Sequence, residues 1–113
     1  MPAATIRLGE IASARSGDKG NHANVAVFAN SDIAYRWLCE RLTESVVASY
    51  FAPLGVSRVQ RYEAPNILGL NFMLHDALAG GASRSLRIDT QGKTLGLALL
   101  ELRIGAPPGG LDP

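Results

Sequence analysis

The sequence predicts an α+β fold: a mainly antiparallel sheet of four or five strands with helices packed on one face. Three observations carry this. Apolar residues alternate with polar ones near the N-terminus and again over residues 56–63, as half-buried strands require. They recur at helical spacing over residues 33–51 and 65–78. The 113 residues, 47% of them hydrophobic, supply one core and leave no room for a second domain. The domain is expected over residues 1–104, with the Gly- and Pro-rich residues 105–113 as a flexible tail.

Each element has a local reason. Ile6 and Leu8 alternate with Thr5 and Arg7, and the apolar phase shifts by one at Ile11, so a first strand over residues 5–15 bends near Gly9. The run Val25-Ala26-Val27-Phe28-Ala29 is a central strand buried on both faces. Asn30 and Ser31 offer a cap to a helix carrying Ile33, Ala34, Trp37, Leu38 and Leu42. A second helical stretch with Val46, Val47, Tyr50 and Phe51 ends at Pro53 and Gly55, and the two read equally well as one bent helix. Residues 56–63, with Arg58 and Arg61, form an edge strand. Pro65-Asn66 opens a third helix with Ile67, Leu70, Leu74 and Leu78 in register and Gly80-Gly81 as its stop. Leu86 and Ile88 mark a fourth strand over residues 85–89. Thr90 caps a last helix through Leu95, Leu99 and Leu102, with residues 100–104 readable instead as a short closing strand. Trp37, Leu38, Val27, Leu70 and Leu74 are the expected core. Phe72, Met73 and Leu97 lack obvious partners, which predicts a homo-oligomer that covers them.

Composition excludes several function classes. Eleven Lys and Arg against ten Asp and Glu leave a formal charge of +1, without the field that draws nucleic acid or an anionic membrane. No secretory leader and no stretch near the ~20 apolar residues of a membrane span is read, so the cytoplasm is the expected location. Cys39, the single cysteine, allows no internal disulfide and reads as an inert thiol. His22 and His75 are the only histidines, and no ligand spacing predicts a metal site. No motif names a cofactor. Ser16 lacks the Gly-x-Ser-x-Gly elbow of a hydrolase.

Polar chemistry concentrates in Ala14-Arg15-Ser16-Gly17-Asp18-Lys19-Gly20-Asn21-His22-Ala23-Asn24-Val25. As a loop, it would let Gly17 and Gly20 turn backbone N–H groups toward one point, an anion-binding concavity with Arg15 and Lys19 as its cations. Ser16, Asn21 and Asn24 add polar contacts to a carbonyl or carboxylate, and Asp18 is a candidate proton acceptor. The same residues also suit a capped turn, with Asp18, Asn21 and Asn24 bonding the backbone. The spacing is neither that of a phosphate loop nor that of a dinucleotide fingerprint.

A second constellation runs from Tyr62 to His75. Four residues apart, Asn71 and His75 share a helix face and place an amide and an imidazole within reach of one ligand. Glu63 and Asn66 lie just before that helix, where Asn66 is also a natural cap. Asp18 and His75 are the acid-base candidates. Arg15, Ser16, Gly17, Lys19, Gly20, Asn21, Asn24, Glu63, Asn66 and Asn71 are the candidate ligand-binding residues.

At these segments the chain resembles the carboxy-terminal domain of the acyclic terpene utilisation protein A (AtuA) family, here as a free-standing chain. The likeness rests on Ala14 to Gly20 with Ala23-Asn24-Val25, Arg61-Tyr62-Glu63 with Pro65-Asn66, Leu70-Asn71-Phe72 with Leu74-His75, and Gly80-Gly81 before Ser85 to Asp89. The resemblance implies a ferredoxin-like two-layer sandwich and a role in the breakdown of branched or terpenoid acyl compounds, often as coenzyme A thioesters. Longer family members carry a large preceding domain. The resemblance therefore implies a small subunit that joins a separately encoded large AtuA-like partner, or a homo-oligomer that completes its own site. The rival reading is a non-catalytic assembly module that makes protein contacts through the same segments.

Overall fold

Residues 22–29 alternate strictly between buried and half-buried, so the central strand is fully buried on one face only, where its continuous apolar run suggests both. The computed structural model describes residues 5–19, 22–76 and 93–106, with the side chains of residues 18, 19, 93 and 94 outside that description. Its elements are β1 (Thr5–Arg7), β2 (Ala12–Lys19), β3 (His22–Ala29), α1 (Asp32–Arg41), α2 (Glu44–Tyr50), β4 (Arg58–Ala64), β5 (Gly69–His75), α3 (Lys93–Leu99) and β6 (Arg103–Gly105). Short 3-10 turns occupy Leu8–Glu10, Ala52–Leu54 and Pro65–Ile67. The main sheet has the order β2-β3-β5-β4 with every pair antiparallel, and β1 pairs with β6 in a separate ribbon. The fold is the expected α+β sandwich, with a mainly antiparallel sheet.

The helices gather on one face of the main sheet, α1 against β3, α2 against β4, and α3 against β2 and β3. Between the layers lie Val25, Val27, Leu70, Phe72 and Leu74 from the strands, and Leu38, Leu42, Val47, Leu95 and Leu99 from or beside the helices, all under 2% exposed. Gly96 brings α3 close to β2. A Cβ there would stand 3.2 Å from Ser16 Oγ and 3.4 Å from the Arg15 carbonyl carbon. Its N–H donates to Ser16 Oγ at 3.0 Å.

Several expectations are corrected. The first strand is two strands, β1 and β2, because Leu8–Glu10 winds into a 3-10 turn where the apolar phase shifts. Residues 33–51 form two helices: Leu42 leaves helical dihedrals, and Thr43 Oγ1 caps α2 by accepting from Val46 N–H at 3.2 Å. The largest change concerns residues 65–78, where a helix was expected. Only Pro65–Ile67 turns, and residues 69–75 are the inner strand β5. Leu70 and Leu74 satisfy a period of two as well as one of 3.6, and Phe72, fully buried between them, decides for the strand. Asn66 therefore caps no helix. Residues 100–104 yield the closing strand, as β6. The expected strand over residues 85–89, the Thr90 cap, Leu78, Gly80-Gly81 and residues 107–113 lie outside the described residues.

Of the expected core, Val27, Leu38, Leu70 and Leu74 are buried, whereas Trp37 is half-buried. Its indole N–H donates to the Gly105 carbonyl at 2.7 Å, and the Arg41 guanidinium lies 4.6 Å above its ring. Phe72 needs no external partner, Met73 is half-buried, and Leu97 is 63% exposed.

Candidate ligand-binding face

Side chains alternate along each strand, so the pairing that buries Val25, Phe72 and Val59 on the helix side fixes what the other face carries. Across β2 and β3, Gly17 stands opposite Asn24, Arg15 opposite Ala26, and Ser13 opposite Phe28. Across β3 and β5, Asn24 meets Met73, Ala26 meets Asn71, and Phe28 meets Gly69. Across β5 and β4, His75 meets Arg58, Met73 meets Gln60, Asn71 meets Tyr62, and Gly69 meets Ala64. This helix-free face runs from an imidazole-rich end to an apolar end, with amides between.

At the centre, Asn24 Nδ2 donates to Asn71 Oδ1 at 3.3 Å. The pair leaves the Asn71 amide hydrogens and the Asn24 carbonyl oxygen directed to other partners. Gly17 makes room for this, since a Cβ there would lie 3.2 Å from Asn24 Oδ1. At the imidazole end, His75 Nε2 lies 2.7 Å from Gln60 Oε1, and His22 Nδ1 accepts from the Asp76 N–H at 3.0 Å. The two rings meet edge to face, 5.0 Å between centroids. Ser57 Oγ donates to Asp76 Oδ2 at 2.6 Å and holds that carboxylate at the sheet's rim. At the apolar end, a cavity of about 100 Å³ is lined by Ala26, Phe28, Ala64, Ile67, Gly69, Leu70 and Asn71. Arg15 and Arg58 have no acidic partner among the described residues.

The candidate residues divide accordingly. Arg15, Gly17, Asn24, Asn71 and His75 share the helix-free face. Ser16 lies on the helix side, bonded to Gly96. Glu63 also leaves the face, its carboxylate accepting from Arg61 Nη2 at 2.8 Å. Asn66 is exposed in the 3-10 turn. Asp18 and Lys19 belong to β2, paired with Ala23 and His22, while their side chains, like Gly20 and Asn21 as a whole, lie outside the description. The expected loop is thus mostly ladder: residues 12–19 and 22–29 pair along their full length. Within that ladder Gly17 provides space beside Asn24 rather than a backbone turn. His22 and Gln60 were missed. Alternation of Asn71, Met73 and His75 against Leu70, Phe72 and Leu74 is the signal that finds them, because it pairs β5 with its neighbours and brings both to the same face.

A larger hollow of about 620 Å³, lined by Thr43, Glu44, Arg61, Tyr62 and Glu63, flanks the β4 edge. Its cation is occupied. Arg61 Nη1 donates to the carbonyls of Cys39 and Leu42 at 2.8 and 3.1 Å, closing the C-terminus of α1, while its backbone N–H donates to Glu44. The hollow is an edge clamp. Below it, burial pushes the Tyr35 phenol above its usual 10.0, reinforced by the Cys39 thiol and the Glu63 carboxylate and opposed by Arg61. Among the described residues no group of three or more His, Cys, Asp or Glu is placed to hold a metal ion, and no helix is long and apolar enough to cross a membrane.

A four-stranded antiparallel sheet with helices on one face and a polar, helix-free opposite face defines a ferredoxin-like α+β domain. The chain belongs to the AtuA ferredoxin-like domain family, whose model matches residues 6–105. No curated protein and no solved structure matches it.

Proposed function

We propose that this chain is a small subunit or stand-alone domain of an enzyme that breaks down acyl compounds, and that its helix-free sheet face binds the ligand's carbonyl or anionic group. One observation carries the reading: the Asn24 and Asn71 amides are bonded in mid-sheet, with His75 toward one end of the face, an apolar cavity that Asn71 itself lines toward the other, and Arg15 two strands away in Asn71's own row. The Asn71 amide hydrogens donate to a carbonyl oxygen, and Arg15 attracts an anion through its unpaired charge. The cavity takes a short or branched apolar group. His75 is the proton carrier of this scheme, with Asp18 as the second acid-base candidate. A separately encoded large AtuA-like partner would supply whatever chemistry one sheet face lacks, in the cytoplasm.

A calorimetric titration with isobutyryl thioesters, carried out on the chain alone, tests it. Binding that Asn71→Ala weakens about tenfold, with the melting curve unchanged, supports the reading. Equal binding by both proteins removes it. Tyr62 and Ile67, 52% and 57% exposed, stand beside the same cavity and favour a second reading, in which this face docks another protein chain. Light scattering separates the two: an oligomer that Ile67→Asp dissociates, without ligand binding by either form, assigns the face to assembly.

A further inference from the structure

We propose that His22 and Asp76 form a proton-operated latch at the end of β5. Asp76 follows that strand in the left-handed region, at φ 63°, where aspartate is tolerated but not favoured. Two bonds hold it there. Its N–H donates to His22 Nδ1 at 3.0 Å, and its Oδ2 accepts from Ser57 Oγ at 2.6 Å. Ser57 also donates its N–H to the His75 carbonyl at 2.9 Å, so the start of β3, the end of β5 and the approach to β4 are fastened together at this point.

A backbone N–H only donates, and a ring nitrogen that accepts carries no proton, so the bond from Asp76 to His22 exists only while Nδ1 is bare. Once Nδ1 is protonated, two donors face each other. The Asp76 carboxylate supplies the alternative, because its Oδ1 already stands 4.0 Å from the same nitrogen. Lys19 pairs with His22 from β2, Arg58 stands opposite His75 from β4, and His75 meets the His22 ring edge to face at 5.0 Å. All three are basic, which leaves Asp76 as the anion for an imidazolium among the described residues. Uptake of one proton at Nδ1 therefore exchanges a main-chain bond for an ion pair. The amide lets go, the carboxylate takes hold, and residue 76 loses the bond that favours its left-handed backbone. Both side chains are close to half exposed, so the proton comes directly from solvent. Whatever the helix-free face binds, its imidazole end differs between the two protonation states.

Nuclear magnetic resonance on the unliganded, nitrogen-15-labelled chain tests this. While the ring is neutral, a scalar coupling is expected between the Asp76 amide nitrogen and His22 Nδ1. It should vanish as the ring takes up its proton, and the Asp76 amide resonance should move in step with the ring's own titration. A coupling absent from the neutral ring, a coupling that persists on the acid side, or an Asp76 amide indifferent to the ring overturns the proposal. Two variants identify the sensor. His22→Asn keeps an acceptor that does not titrate, and should hold the Asp76 amide resonance level across about pH 5 to 8. His75→Gln, which keeps a polar partner for Gln60, should leave the wild-type response in place. A response that survives His22→Asn, or disappears with His75→Gln, assigns the titration elsewhere and overturns the latch.

Discussion

Gly17 and Asn24 face each other across β2 and β3, and the missing side chain of the one gives the other's amide room to reach Asn71. Alanine at position 17 would press its Cβ to 3.2 Å from Asn24 Oδ1. Gly17→Ala is expected to displace that amide, shift the Asn71 side-chain amide resonances, and weaken acyl binding several-fold. Strand stability should change by less than about 1 kcal/mol, because alanine also orders the unfolded chain. Unshifted Asn71 resonances would show that the amide pair does not depend on the glycine.

Phe72 and Met73 are neighbours in sequence on opposite faces of β5, the first fully buried and the second half-buried. Phe72→Ala should cost about 3–5 kcal/mol in denaturant unfolding, and Met73→Ala about 1 kcal/mol. Similar losses at both positions would contradict the two-layer arrangement.

The Arg61 guanidinium, 19% exposed, ties the β4 edge to the end of α1 through two carbonyls and the Glu63 carboxylate. Its replacement by methionine should cost about 2–3 kcal/mol, since the α1 carbonyls lose their donors. Lysine should restore less than half, because one ammonium cannot reproduce the planar fork. Full rescue by lysine would reduce the clamp to a point charge.

Tyr35 supplies a pH dependence. Its hydroxyl is buried beside the Cys39 thiol, a weak partner that does not reach hydrogen-bond geometry. The folded phenol ionises above the unfolded value of 10.0, mainly because burial disfavours the anion. The resulting stability is complete below pH 10 and is lost as the pH climbs through the raised folded value. Tyr35→Phe should leave stability at pH 7 unchanged or raised by up to about 1 kcal/mol, and should flatten the alkaline loss that sets in above the unfolded value. A steeper alkaline loss in the variant would contradict this assignment.

Much of this was legible in the sequence, and the errors share a cause. The presence of β3, a cap at Asn30 or Ser31 and the β4 edge could be read locally, because each depends on neighbours within a few residues, whereas the β3 alternation could not, since Ala26 and Phe28 are apolar on the half-buried face. Residues 65–78 could not, since Leu70 and Leu74 are compatible with helix and strand alike, and only pairing with β3 and β4 settles the matter. The same ambiguity affected the candidate site. Asn71 and His75 share a face under either period, but on a strand they stand about 13 Å apart instead of one helical turn, while Ser16 and Glu63 were assigned to the site by closeness in sequence although their bonds lie on the helix side. His22 became visible only through the hairpin, which a loop reading of residues 16–24 hides.

The small ribbon of β1 and β6 has a mechanical consequence. Thr5 pairs with Gly105, and the ladder continues inward through Ile6 with Ile104 to Arg7 with Arg103. Tension applied through the two ends of the described chain would load this ladder one rung at a time, starting with the outermost pair and the indole bond from Trp37 to Gly105. Such a zipper opens under far less force than strands sheared along their length. The ribbon would therefore act as a fuse, releasing slack before any load reached the four-stranded sheet and its polar face.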